Sequence, residues 1–217
     1  MTTIDIETKQ PETWWRELCW VTDQICVTGD LSGNRLEALN QLDRWVNAGV
    51  THIADVRAEW SDQAFVQQHA PEVEYLYFPT HDNGGVQSDQ WFNNAVDAIV
   101  SALRANPGHK VLVHCHMGVN RAPSLALAVL LQLGWDAVEA LEQIRTVRPI
   151  AGILYAVQAV DWHSAHIGLS DEQRQDRLAQ VGDWLTQNRV DISWVISRIR
   201  LAGNGMESTQ VRRIPPR

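Results

Sequence analysis

The chain has 217 residues, of which 45% are hydrophobic, and a formal net charge of -8 with a pI near 5.4. This length predicts one domain with an appendage. The acidic balance argues against nucleic acid and anionic membrane surfaces, so we expect neither as a partner. Three cysteines without metal-like spacing, and an opening MTTIDIETKQPETWW that lacks a basic region followed by an apolar stretch, predict a cytoplasmic protein with reduced thiols.

Strands and helices are predicted to alternate over the first half of the chain. Hydrophobic spacing and turn residues predict a strand over 24–30, a helix over 32–49, a strand over 50–56, a helix over 61–70 and a strand over 73–79. The helices are predicted to begin after the N-caps Ser32 and Ser61, and Pro79 is expected to end the third strand.

The middle of the chain continues the alternation. We predict a helix over 88–106, capped by Ser88 or Asp89, a short apolar strand over 110–115, a helix from Arg121 to 133 and a helix over 136–149. An apolar strand bounded by helices is typical of a sheet covered on both faces. The sequence therefore predicts an α/β fold with a central, mostly parallel sheet flanked by helices.

Only helical patterns follow residue 151, and they cannot extend a sheet. We predict an N-terminal segment over 1–21, a main domain over 22–167, a helical C-terminal extension over 168–203 and a disordered tail over 204–217. Trp184, Trp194 and Ile196 are expected to dock the extension either onto the main domain or onto a second subunit as a homodimer.

The stretch VLVHCHMGVNRAPS at 111–124 places Cys115 where a buried strand ends and a helix begins. Backbone N–H groups and the positive end of a helix dipole converge on such a loop, which favours a bound anion and a cysteine thiolate. Gly118 permits a tight turn, and the Arg121 fork can grip two oxygens of a tetrahedral anion. This chemistry is nucleophilic phosphoryl transfer through a phosphocysteine, without a metal or other cofactor.

Such a reaction also needs an acid that protonates the leaving oxygen and a base that activates water. Asp82, in the loop sequence PTHDNGG, is the candidate because it follows a predicted strand and has glycines beside it. The four residues Asp82-Asn83-Gly84-Gly85 are also typical of an ordinary turn. Asp89 is a reserve candidate that would otherwise serve as a helix cap.

The segment HCHMGVNRA resembles the H-C-x-x-G-x-x-R active-site loop of cysteine-based protein tyrosine phosphatases, most closely the dual-specificity branch. The resemblance extends over roughly residues 22–165 and includes VTHIADVR, FPTHD and IRTVRP, whose Arg148 and Pro149 fall where the family often has that pair. It implies Cys115 as nucleophile, Arg121 as phosphate clamp and Asp82 as general acid and base. It implies that His114 orders the loop and that phosphate binds the backbone N–H groups of His116, Met117, Gly118, Val119, Asn120 and Arg121.

One position departs from the family pattern. The family usually has serine or threonine after the arginine, where the hydroxyl assists breakdown of the phosphocysteine, whereas this chain has Ala122. We therefore expect slow dephosphorylation of the intermediate, and we expect Ser124 to face elsewhere.

Other functions stay open. A phosphate-binding module with little turnover would fit Ala122, although it would not need the thiol; a sulfurtransferase typically has a shorter loop, and an arsenate reductase would need more cysteines nearby. The loop has no lysine, which disfavours polyphosphorylated lipids. We expect phosphotyrosine, phosphoserine or phosphothreonine of a protein as the substrate, bound in a shallow, permissive site.

Overall fold

The computed structural model describes residues 14–203, so the predicted tail over 204–217 lies outside the described residues. A 3₁₀ turn opens this part of the chain, and five strands and eight helices follow. In chain order they are the turn Trp14–Arg16, β1 (Cys19–Trp20), β2 (Ile25–Thr28), α1 (Arg35–Asn47), β3 (His52–Arg57), α2 (Gln63–His69), β4 (Glu74–Thr80), α3 (Asp89–Ala105), β5 (Val111–His114), α4 (Arg121–Gln132), α5 (Ala137–Val147), α6 (Ala156–His166), α7 (Asp171–Gln187) and α8 (Ile192–Gly203).

The strands form one sheet in the order β1-β2-β5-β3-β4. β2, β5, β3 and β4 run parallel, and β1 alone among them pairs antiparallel, with β2. The mostly parallel α/β fold expected from the sequence is therefore confirmed. β5 lies at the centre of the sheet, with His114 opposite Thr28 on one side and Asp55 on the other. The carboxyl ends of these three strands meet at one edge, and ligands of open α/β sheets bind at that edge.

Helices cover both faces of the sheet. Val111 and Val113 of β5 pack into a core with α3, α4, α5 and α6, whereas Leu112 between them packs with α1 and α2 on the opposite face. This alternation follows from the two-residue period of a strand. It explains why Val111, Leu112 and Val113 of β5 are all apolar.

Two of the predicted caps differ in the structure. α1 begins after Asn34, whose Oδ1 accepts from the backbone N–H groups of Leu36 and Glu37 at 3.0 and 3.2 Å. The predicted cap Ser32 instead donates its hydroxyl hydrogen to the side chain of Glu37. α2 likewise begins after Asp62 instead of Ser61.

Ser88 is the cap of α3, because its hydroxyl accepts from the N–H of Trp91, and Asp89 is the first helical residue. The short strand β1 was not predicted, since two residues carry too little pattern to detect. Pro79 lies within β4 instead of ending it. β4 is an edge strand, where the missing N–H of proline leaves no ladder bond unmade.

A fully buried arginine ties the sheet to the loops at its carboxyl edge. The guanidinium of Arg57 binds the Asp55 carboxylate with bonds of 2.9 and 2.8 Å and the Asp62 carboxylate at 2.6 Å, and lies 3.6 Å from Asp30. Burial would raise the pKa of Asp55, but the neighbouring His114 and Arg57 lower it. Because burial lowers the pKa of His114, that ring is neutral at neutral pH, and we attribute the low pKa of Asp55 mainly to Arg57.

Replacing Arg57 by methionine is expected to lower the free energy of unfolding by about 3 to 5 kcal/mol at neutral pH, because it removes the cation that pairs with the buried Asp55 carboxylate. In the wild type the depressed pKa of Asp55 means that its ionised form stabilises the fold above about pH 4, and that this stability is lost as the pH falls. In the variant, burial without a cation raises the pKa of Asp55 instead of lowering it, so its ionised form destabilises the fold. The loss in free energy of unfolding that Arg57→Met causes should therefore shrink as the pH is lowered.

Urea unfolding at about pH 7 and about pH 4.5 measures both quantities. The exposed Arg104, on α3, provides the control Arg104→Met, which should change stability little. An Arg57→Met deficit that stays constant between the two pH values would contradict this account of the buried cluster.

The C-terminal extension packs on the domain in two places. α7 inserts Val181 and Trp184 into the main core, whereas α8 buries Val195 and Ile199 in a separate cluster with Trp15. This cluster also includes Val119, from the loop after Cys115, and Ile150. Over residues 14–203, none of the helices combines the length and apolar character that crossing a membrane would require.

Candidate active site

The loop between β5 and α4 brings the predicted nucleophile and clamp to the carboxyl edge of the sheet. β5 ends at His114, Cys115 opens the loop, and Arg121 is the first residue of α4. Cys115 and Arg121 are 1% and 2% exposed, so both side chains are held within the protein. The positions of these two residues follow from the strand–loop–helix order that the sequence predicts.

The backbone of this loop offers a row of hydrogen-bond donors. Across the described residues, the N–H groups of residues 116–121 donate to no protein acceptor, and Asn120 makes no side-chain cap to α4. The first N–H groups of a helix carry the positive end of its dipole. The loop and the helix end together form a cradle suited to a tetrahedral anion.

Arg148 supports the loop from behind. Its guanidinium donates to the carbonyl oxygens of Gly118 at 2.6 Å, Met117 at 3.1 Å and Trp15 at 2.7 Å. Gly118 has a φ of +63°, and a Cβ there would lie 2.2 Å from Arg148 Nη2 and 2.6 Å from the Thr28 carbonyl oxygen. Only glycine fits this backbone conformation together with the arginine that holds it.

Glu59 orients Arg121, and the sequence analysis did not identify it. Both terminal nitrogens of Arg121 donate to the two Glu59 oxygens, at 2.7 and 2.8 Å, and Nη1 also donates to the Thr80 carbonyl at 2.8 Å. Burial would lower the pKa of Arg121, but the bonds to Glu59 raise it. Burial would raise the pKa of Glu59, and the bonds from Arg121 lower it. Both groups are therefore charged at neutral pH.

Asp82 lies beside the clamp, in the loop between β4 and α3. Its Oδ1 accepts from Asn120 Nδ2 at 2.7 Å and from the Tyr155 hydroxyl at 3.1 Å, while Oδ2 lies 3.5 Å from Arg121 Nε. Burial and the charge of Asp82 raise the pKa of Tyr155, so its hydroxyl keeps the proton that it donates. Two donors on one oxygen fix the orientation of the carboxylate.

His114 is completely buried beneath the loop. Its two ring nitrogens have no hydrogen-bond partner among the described residues, and Nε2 lies 3.8 Å from Asp55 Oδ1. Burial lowers the pKa of the ring despite the attraction of Asp55. The neighbouring loop residue His116 differs, since its Nδ1 lies 2.6 Å from Asp30 Oδ2 and its ring meets the edge of Trp60.

A cleft of about 340 Å³ opens over Cys115. The site residues predicted from the sequence line it, except Gly118 and His114. Its lining is Glu59, Asp82, Gly84, Cys115, His116, Met117, Val119, Asn120, Arg121, Leu154, Ile192, Ile196 and Arg200. The last three come from α8, so the C-terminal extension forms a wall of the site. The sequence predicts a shallow, permissive site and gives no sign of this wall.

Of the two site residues that the prediction missed, Glu59 and Tyr155, only Glu59 had a detectable signal in the sequence. Glu59 follows β3, and carboxyl ends of neighbouring parallel strands share an edge, so a carboxylate after β3 was a candidate to meet Cys115. Tyr155 precedes α6 and reaches Asp82 only through tertiary packing. Nothing in the local sequence indicates that contact.

One group of possible metal ligands occurs within residues 14–203. One ligand atom each from Asp55, Asp62 and His114 lie within 4.8 Å of one another. The guanidinium of Arg57 already binds both carboxylates, and a second cation at the same place would be repelled. This group therefore serves the buried ion pairs and does not fit a metal.

Comparison with known proteins places this geometry in a family. The family model described as "Dual specificity phosphatase, catalytic domain" matches residues 37–156, more than half of the chain. "Dual specificity protein phosphatase 26" of Rattus norvegicus is 32% identical over 137 residues, and "Dual specificity protein phosphatase 1" of Homo sapiens is 33% identical over 78 residues. These matches cover 61% and 34% of this chain.

Solved structures share the fold. The crystal structure of human DUSP28 has a TM-score of 0.56 at 22% identity, covering 70% of this chain and 95% of that one. PTPMT1 in complex with PI(5)P has a TM-score of 0.52 at 19% identity, covering 67% of this chain and 93% of that one.

The sequence match spans only part of the curated relatives, 61% of the rat protein and 21% of the human one. The family model nevertheless includes the residues that build the site, from Glu59 through Cys115 and Arg121 to Tyr155. With a family model that covers more than half of its length and a fold shared with solved members, this chain belongs to the dual-specificity branch of the cysteine-based protein tyrosine phosphatases.

Proposed function

We propose that the protein hydrolyses phosphomonoesters of proteins through a phosphocysteine intermediate, with no metal taking part in the reaction. The observation that carries this proposal is the meeting of four groups in one cleft: the Cys115 sulfur, the unbonded amides of residues 116–121, the Arg121 fork and the Asp82 carboxyl group. Together they supply a nucleophile, an anion cradle and an acid, which are the parts that phosphoryl transfer needs.

In the first step the Cys115 thiolate attacks phosphorus, the S–P bond forms and the P–O bond to the substrate breaks. Asp82 donates its proton to the leaving oxygen. The loop amides and Arg121 bind the equatorial oxygens, where charge is concentrated in the transition state. Because Glu59 occupies the Arg121 fork in the free protein, the incoming phosphate must share this guanidinium with Glu59 or displace it.

In the second step water attacks the phosphocysteine, and Asp82 takes its proton as the S–P bond breaks. Ala122 supplies no hydroxyl for this step. The hydroxyl of Ser124 accepts from the Tyr155 N–H at 3.3 Å and lies 3.4 Å from Asn120 Oδ1, so it is already engaged in contacts within the protein. We therefore propose that hydrolysis of the phosphocysteine is slow compared with its formation.

Rapid-quench hydrolysis of para-nitrophenyl phosphate, without added metal and under reducing conditions, tests the proposal. The expected result is a burst of para-nitrophenol equal to the enzyme present, followed by a slower steady rate, with an acid-trapped phosphoryl group on Cys115 in the peptide map. Steady turnover without a burst would reject slow breakdown of the phosphocysteine and leave the rest of the proposal standing. An absence of turnover, with inorganic phosphate still bound, would make the protein a phosphate-binding module instead.

The Glu59→Gln variant is expected to lower kcat/KM for para-nitrophenyl phosphate roughly tenfold, because it loosens the orientation of the Arg121 fork while leaving the arginine present. Steady-state kinetics of the purified variant measure this change. The exposed Glu72, in the turn before β4, provides the matched control Glu72→Gln. A Glu59→Gln enzyme as fast as the control, or faster, would show that Glu59 only competes with phosphate.

Phosphotyrosine, phosphoserine or phosphothreonine of a protein is the substrate we propose. The family description and the names of the curated relatives support a protein substrate. The loop side chains from His116 to Asn120 include no lysine for a polyphosphorylated headgroup. The solved structure with PI(5)P is 19% identical and bears on the fold alone. A cytoplasmic location and a homodimer through the C-terminal helices stay predictions from the sequence.

A further inference from the structure

The wall formed by α8 is a part of the cleft that lies outside the family match. The match ends at residue 156, and α8 begins at Ile192. Ile192, Ile196 and Arg200 line the cleft, and their spacing of four residues sets them along one side of the helix. These residues face the opening above Cys115 and are not among the groups that carry out the proposed chemistry.

α8 is held in this position by its buried side. Val195 and Ile199 are 1% and 3% exposed and pack against Trp15, Val119 and Ile150. A Cβ at Gly152 would lie 2.7 Å from Ile192 Cδ1, so the absence of a side chain there lets the helix approach the loop. The wall is therefore packed on the same cluster as the catalytic loop, which predicts a fixed surface for the substrate.

The wall has two chemical parts. Ile192 and Ile196 are half-buried apolar groups near the loop, while Arg200 is exposed farther along the helix. Of the other ionisable groups that line the cleft, Glu59 and Asp82 lie against Arg121, and His116 contacts Asp30. Within residues 14–203 the ion pairs of the protein do not include Arg200, so this cation is available to an anionic group of the substrate.

We infer that α8 makes the site selective for phosphotyrosine with acidic residues beside it. This inference rests on the proposed function of the same site. Cys115 lines the cleft and is only 1% exposed, and phosphotyrosine carries its phosphate a whole aromatic ring farther from the peptide than phosphoserine does. The ring would lie against Ile192 and Ile196, and a neighbouring carboxylate would reach Arg200.

Peptide binding to the full chain carrying Cys115→Ser measures this selectivity without turnover. Three labelled peptides are compared by fluorescence anisotropy: phosphotyrosine between aspartates, phosphotyrosine between asparagines, and phosphoserine between aspartates. Arg200→Gln should reduce the preference for the acidic over the neutral phosphotyrosine peptide about threefold, as for an exposed ion pair. Ile196→Ala should reduce the preference for phosphotyrosine over phosphoserine about fivefold, because apolar contact is lost.

Arg198→Gln is the matched control. It removes the same charge from the same helix, where Arg198 lies over the Trp194 ring and does not line the cleft, so both preferences should persist. Preferences that are the same in all variants would overturn the inference. So would tighter binding of every peptide by Ile196→Ala, since α8 would then obstruct the site. Failure of the wild type to hydrolyse phosphate esters would reject the proposed function while leaving these binding preferences measurable.

Discussion

The Cys115→Ser variant is expected to lose hydrolysis of para-nitrophenyl phosphate by at least about four orders of magnitude while keeping its fold and its affinity for phosphate. A serine hydroxyl is far harder to ionise than a thiol, so it is a much weaker nucleophile at neutral pH. The amide cradle and Arg121 are unchanged, so anion binding should persist. The largest effect of this substitution therefore falls on the chemical step.

Steady-state rates and the thermal shift produced by inorganic phosphate separate these two effects. The control is Cys19→Ser, since the Cys19 sulfur lies in the half-buried β1 and can be replaced by a hydroxyl in its contact with Arg148. A serine variant at position 115 that retains more than a trace of activity would rule out the thiolate mechanism. If the variant loses both phosphate binding and hydrolysis, the substitution has disrupted the loop between β5 and α4.

Asp82→Asn is expected to slow hydrolysis of a phosphotyrosine peptide by about two to four orders of magnitude. The asparagine keeps the shape of the side chain but has no proton to give to the leaving oxygen. The tyrosine oxygen, with an ordinary pKa near about 10, needs that proton much more than the acidic para-nitrophenol does. The loss should consequently be larger for the peptide than for para-nitrophenyl phosphate, and the decline of the rate at basic pH should flatten.

Asp89→Asn is the control for this prediction, because Asp89 is the first residue of α3 and Ser88 provides the cap. Rates of both variants on both substrates, measured from about pH 5 to about pH 8, identify the acid. If the two variants lose activity equally, or if Asp82→Asn affects both substrates alike, the acid lies elsewhere.

The fold and the centre of the site could be predicted because short, local patterns determine them. An apolar strand, a cysteine, a glycine and an arginine lie within a few residues of one another in the loop, and the chain order brings them to one edge of the sheet. The contacts that orient these groups are different in kind. Glu59 reaches Arg121 across 62 positions and Tyr155 reaches Asp82 across 73, and no local period encodes either contact.

The C-terminal wall was the hardest part to predict from the sequence. The sequence indicates that Ile196 is on an amphipathic helix and that the helix must dock somewhere, because an apolar stripe has to be covered. Which surface receives it depends on shape, and here Gly152 leaves room for Ile192. The choice between the catalytic domain and a second subunit could not be made from periodicity alone, since both would cover the same stripe.

The cluster of Trp15, Val119 and Ile199 joins three parts of the chain that are far apart in sequence. Arg148 adds a second tie, since it binds the carbonyl oxygens of both Trp15 and Met117. Trp15 and Ile199 lie outside the family match, which covers residues 37–156. A fragment cut at the borders of this match would retain Cys115 and Arg121 but lose Trp15 and Ile199 from the cluster that contains Val119 of their loop, so measurements on it would not describe the whole chain.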